Sequence, residues 1–155
     1  MDEIFLQRAI DLALANVSRC DGGPFGAVIV LNGEIVAEGW NQVISTNDPT
    51  AHAEIVAIRA ACKKLERFHL ADCILYASSE PCPMCLSAAY WARVQRIVFA
   101  NTRDQAAAIG FSDDELYGEL CRPHEARTVP TRHLPLPGAT EPLRLWHENP
   151  CRIAY

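Results

Sequence analysis

The sequence predicts an α/β fold, one mixed sheet with helices on both faces, and three observations carry that expectation. Apolar residues recur at helical spacing over the first 19 positions, an Asn-Gly pair separates two short apolar runs, and helix and strand patterns alternate thereafter. Within residues 2–19 the stripe is Phe5, Ala9, Leu12 and Ala13, widened by Leu6, Ile10 and Val17. Gly22-Gly23-Pro24 ends that helix. Gly26 to Leu31 and Glu34 to Trp40 read as the arms of a hairpin turned at Asn32-Gly33, residues that tolerate the positive φ such a turn needs. Polar residues 41–50 predict a loop, then a helix from about 51 to 66 that Asp48 or Thr50 is placed to cap. Ile74 to Ser78 predicts a buried strand, Pro83 to Ala92 a helix with proline in its first turn, and Gln95 to Asn101 another strand. Short helical pieces follow near 103–109 and 113–121. Five of the ten prolines lie within 122–143, which predicts extended irregular chain before a last helical segment near 140–148.

A chain of 155 residues suits one domain, taken here as 1–155, and half its residues are apolar with 21% charged, as in ordinary globular proteins. No apolar run approaches the roughly 20 residues that span a bilayer. Met1-Asp2-Glu3 lacks the basic start of a signal peptide, so a cytoplasmic protein is expected. The formal net charge is -5 and basic residues are scattered, whereas a nucleic-acid partner calls for a basic face. A small neutral substrate fits better. Of seven cysteines, Cys20, Cys62, Cys73, Cys121 and Cys151 are isolated and read as packing thiols. Only Cys82 and Cys85 form a motif.

Two short pieces carry chemistry: His52-Ala53-Glu54 and Pro81-Cys82-Pro83-Met84-Cys85, each opening a predicted helix. Thiols three residues apart project from the same side of one helical turn, and the positive end of a helix favours the thiolates a metal needs. Two such helix starts side by side would bring His52, Cys82 and Cys85 onto one zinc ion. Three protein ligands, with no second CxxC or HxxxH to close the shell, match catalytic zinc, which keeps a position for water. Glu54 is placed to take the water's proton and pass it to a leaving amine. A redox CxxC has no need of the upstream His-x-Glu, and a structural zinc site needs a fourth ligand that the sequence does not display. His-x-Glu followed by Pro-Cys-x-x-Cys is the signature of zinc-dependent base deaminases.

On these motifs the chain resembles the cytidine deaminase superfamily, through Asp48 to Glu54 and Glu80 to Cys85. It is similar to the purine-acting branch along Gly22 to Val30, Trp40-Asn41, Tyr90 to Arg93, Gly110-Phe111 and the terminal Tyr155. The resemblance implies a three-layer α/β/α sandwich with a mixed central sheet, one zinc per subunit, and hydrolysis of guanine to xanthine and ammonia. It also implies a homodimer that exchanges a C-terminal segment from about 122 to 155. It assigns Glu54 and Asp113 to catalysis, with Asp114 able to replace Asp113 if the register slips by one. It assigns Asn41, Phe25, Ala53, Trp91 and Tyr155 to the base. Ser79 departs from the pattern, which has cysteine there. Competing expectations are another small ring (guanosine, cytosine or an aminotriazine), a tRNA adenosine deaminase, which shares Trp40-Asn41, and a non-catalytic zinc scaffold.

Overall fold

Helix α1 (Asp2–Arg19) forms over the predicted apolar stripe and buries Ala9, Leu12 and Ala13, together with one polar residue, Asn16. The computed structural model describes residues 1–154. After the Gly22–Pro24 break, β1 (Gly26–Leu31) and β2 (Glu34–Trp40) pair antiparallel. Their turn places Asn32 and Gly33 at φ 51° and 82°, the doubly positive pair that a right-twisted hairpin requires. The register shifts between Ile29 and Val30, where β2 carries an extra residue.

The loop after β2 is not wholly irregular: it contains a short helix, α2 (Val43–Thr46). Next comes α3 (Ala53–Lys64), whose N-cap is His52 rather than Asp48 or Thr50. The Asp48 carboxylate instead accepts the Thr50 N–H at 2.8 Å and the Thr50 hydroxyl at 2.7 Å. This side-chain turn shapes the approach to the helix without capping it. Then follow β3 (Cys73–Ser79), α4 (Pro83–Trp91), β4 (Arg96–Asn101) and α5 (Arg103–Ala107). The sheet order is β2-β1-β3-β4, with β1 and β3 antiparallel and β3 and β4 parallel.

Alternation along β1 divides the core into two layers. Ala27 and Ile29 face Ala53, Ala57, Ile58 and Ala61 of α3 and Ala89 of α4. Val28 and Val30 face Leu12 of α1, with Phe5, Leu6 and Tyr76. The sheet therefore lies between α1 on one side and α3 and α4 on the other, the expected α/β/α sandwich. Gly39 lets α3 approach: a methyl there would stand 2.3 Å from the Ala53 carbonyl oxygen and 2.7 Å from the Ala57 nitrogen. Overpacking of that kind costs about 1–3 kcal/mol or more.

Two compact units divide the chain, Met1–Asp114 and the remainder from Glu115. In the second, α6 (Asp114–Cys121, starting on the last residue of the first unit) is followed by a 3-10 turn at His124–Ala126 and by α7 (Glu141–Glu148). None of that unit's described residues is buried.

The start of α1 is tied to the sheet by one carboxylate. Asp2 accepts the Tyr76 hydroxyl at 2.7 Å and two guanidinium hydrogen bonds from Arg96, at 2.7 and 2.9 Å. Chiefly the Arg96 bonds, then the Tyr76 bond, lower its pKa from 3.8 to about 2. Because the folded value lies below the ordinary one, the carboxylate's contribution is complete above about pH 4 and is lost as pH falls toward about 2. Asp2→Asn is therefore expected to melt below wild type at about pH 6, with the gap closing across that acid window in thermal scans. A gap unchanged near pH 2 would refute the assignment.

Candidate metal and catalytic site

The ligand set is built on two helix starts. His52 and Cys82 are the N-caps of α3 and α4, both in extended backbone conformation, and neither uses its side chain to cap its own helix. Cap residues commonly spend their side chain on the helix's first amides. Here the imidazole and the thiol remain available. Cys85 sits within the first turn of α4, and His52 Nδ1 lies 3.6 Å from both Cys82 Sγ and Cys85 Sγ. All three donor atoms lie within 4.8 Å of one another. Zinc–sulfur bonds of about 2.3 Å and zinc–nitrogen bonds of about 2.0–2.1 Å at tetrahedral angles separate S from N by about 3.6 Å. The donor set fits zinc, and two thiolates with an imidazole suit it chemically.

Charge at the site follows from burial and from these contacts. A hydrogen bond from the Cys85 thiol, then His52, lowers Cys82 to about 4, against the opposing effect of burial. The same bond, together with burial, pushes Cys85 well up. Cys82 is thus favoured over Cys85 as thiolate, and a bound dication would supply what a second thiolate needs. Glu54, one residue into α3, is buried, and burial raises its pKa. A carboxyl held this way picks up a proton readily.

The expected base-reading residues lie in the first unit, with one outside the described residues. Asn41 is buried, and its Oδ1 accepts the Val43 N–H at 3.2 Å, so among the described residues Nδ2 is the amide's free end. Phe25 meets Phe111 edge-on, ring centres 4.9 Å apart. Ala53, fully buried, opens α3. Asp113 is half-buried, raised by burial against the lowering effect of Arg103, and the Arg103 Nε stands 3.9 Å from it. Arg103 also pairs with Asp114, which is more exposed. Trp91 is different: it ends α4 and is 69% exposed, about 13 Å along the helix from Cys82 at about 1.5 Å per residue. Tyr155 lies outside the described residues.

Sequence reasoning missed the frame behind these groups. Ser78 Oγ accepts the Gly26 N–H at 3.0 Å, and its carbonyl accepts Asn101 Nδ2 at 2.9 Å. The Glu80 carboxylate accepts the Arg103 N–H at 3.0 Å, fixing the residue that pairs with Asp113. Glu80 directly precedes the cysteine motif, and that adjacency was its only signal.

Residues 1–101 match the family described as the cytidine and deoxycytidylate deaminase zinc-binding region. The chain belongs to this family. Among curated deaminases it is 51% identical over 144 residues to guanine deaminase of Bacillus subtilis, covering 93% of this chain and 92% of that one. A crystal structure of the Bacillus subtilis guanine deaminase superposes with a TM-score of 0.96 at 49% identity, covering 99% and 98% of the two chains. The tRNA-specific adenosine deaminase of Haemophilus influenzae is 39% identical over 118 residues, 73% of this chain and 68% of that one.

For a zinc-binding deaminase so built, one zinc per chain is expected by elemental analysis. Cys85→Ala, which removes a buried donor, is expected to lower zinc content at least tenfold. Full zinc content in that variant would refute the three-ligand site.

Proposed function

We propose that this chain is a zinc-dependent guanine deaminase, hydrolysing guanine to xanthine and ammonia. The extent of likeness carries the reading. The family match ends at residue 101, yet similarity to the Bacillus subtilis guanine deaminase continues over 93% of the chain in sequence and 99% in structure. The tRNA-specific adenosine deaminase reaches only 73%.

Zinc held by His52, Cys82 and Cys85 would supply Lewis-acid activation of the attacking water. The water oxygen bonds to C2 of guanine, the bond from C2 to the amino nitrogen breaks, and ammonia leaves. Glu54 is assigned the proton traffic: it passes the attacking water's first proton to the ring nitrogen, then carries the proton of the new C2 hydroxyl to the departing amine as the C2 carbonyl of xanthine forms. Asn41 donates from Nδ2 to an acceptor of the ring, Phe25 walls its face, and Ala53 lies beneath it at the start of α3. Asp113 serves the 2-amino group. For Trp91 and Tyr155 the role at the base rests on family resemblance alone.

Ammonia release is expected from guanine, and weakly or not at all from guanosine, cytosine, adenine and aminotriazines. Glu54→Gln is expected to lose roughly 10²–10⁴-fold in turnover while keeping its zinc. Release from pyrimidines alone would overturn the guanine reading, and near-normal turnover in the zinc-loaded variant would overturn the role of Glu54.

The working unit is proposed to be a homodimer of cytoplasmic subunits, each chain one deaminase domain whose segment from about 122 is exchanged. Two features support this. All seven cysteines are unpaired, as a reducing compartment keeps them. The second unit leaves Leu143, Leu145 and Trp146 of α7 exposed, at 70%, 54% and 46%, apolar surface of the kind subunit interfaces cover. Light scattering is expected to give twice the chain mass of 17.1 kDa; a monomer refutes the dimer.

A further inference from the structure

Asn16 has no part in the chemistry above, yet it is fully buried beneath the residues assigned to the base. Its Nδ2 donates to the carbonyl oxygens of Gly23 and Asn41, at 2.8 and 2.9 Å. Phe25 donates its N–H to the same Gly23 oxygen at 2.8 Å, and Asn41 donates its own to Phe25 O at 3.1 Å. One side chain thus closes a ring through Gly23, Phe25 and Asn41. The Oδ1 of Asn16 is buried with no partner among the described residues. An apolar residue would avoid that unmet acceptor, so the amide is there for what its nitrogen does.

Gly22 closes the opposite side. A methyl on it would stand 2.0 Å from Asn41 Oδ1 and 3.0 Å from the Asn41 carbonyl oxygen. Its φ lies outside the left-handed region, so glycine is required here for space and not for backbone freedom. With Gly22 behind Oδ1 and the Val43 N–H bonded to it, the Asn41 amide has one orientation open to it.

We propose that Asn16 and Gly22 are positioning residues for substrate recognition, holding Asn41 and Phe25 in register and acting on the base only through them. The proposal rests on the guanine deaminase reading. Its test compares kcat and KM for guanine, with zinc content and melting temperature, in Asn16→Ala, Gly22→Ala, Asn41→Ala and the Asn16→Ala/Asn41→Ala double variant. Asn16→Ala is expected to raise KM about tenfold with zinc retained and kcat changed far less, since lost buried hydrogen bonds act here on binding. The double variant is expected to be no worse than Asn41→Ala alone. Gly22→Ala displaces the same amide without touching α1, so the same KM rise is expected even if Asn16→Ala fails to fold. Unchanged KM in active Gly22→Ala enzyme, or effects of Asn16 and Asn41 that simply add, would overturn the proposal. A folded, zinc-loaded wild type that releases no ammonia from guanine overturns the functional reading first, and this proposal with it.

Discussion

Helix α3 lies so close to β2 that only glycine fits at position 39, and the site depends on that approach. Small residues line the helix face toward the sheet: Ala53, Ala57 and Ala61 are all fully buried. The short distance fixes the axis of α3 and therefore where its first turn points. His52 as N-cap and Glu54 in the first turn are then rigidly related, one aimed at the thiols and the other enclosed. Packing α4 against the same face of the sheet brings Cys82 and Cys85 to meet them. The ligands thus come from the starts of helices packed against the sheet, as a metal site needs if its donors are to be preorganised.

Enclosure also sorts the carboxylates. Glu54 loses most of its hydration, so its proton affinity rises. Asp113 is partly buried as well, but Arg103 opposes the effect. The two acids are thereby held in different electrostatic settings, the usual way a site separates proton affinities. The arginine is itself held from behind, because the Glu80 carboxylate fixes its backbone N–H.

Much of this was legible in the sequence, and what escaped has physical reasons. The Asn32-Gly33 turn and the two strands it joins are local, so the dipeptide and the apolar alternation suffice. The zinc ligands were legible because spacing and residue type are both demanding. The cap of α3 was misjudged because Asp48 and Thr50 satisfy each other in a turn two residues earlier, leaving His52 as N-cap with its side chain free. Asn16 was overlooked although its position continues the buried stripe after Leu12 and Ala13. A polar residue at an apolar spacing is a signal, but its meaning lies in carbonyls brought near by tertiary contact, which periodicity does not contain. Ser79 is similar: buried, with an Oγ that has no partner among the described residues, it reads in sequence only as a departure from the family pattern. The exposure of Trp91 was equally hidden, since the resemblance supplies a role and not an environment.

Charge completes the case for a small neutral ring over a polynucleotide. Two thiolates offset the dication they would hold, while Asp113 stands beside Arg103, itself shared with Asp114. The balance around the site is neutral to negative, in a chain whose net charge is -5. Binding of a phosphate backbone draws its affinity from lysines and arginines, and Arg103 is already shared between Asp113 and Asp114. A free base carries no phosphate. It presents only ring edges and faces, which on the proposed reading the Asn41 amide and the Phe25 ring would answer without asking for charge.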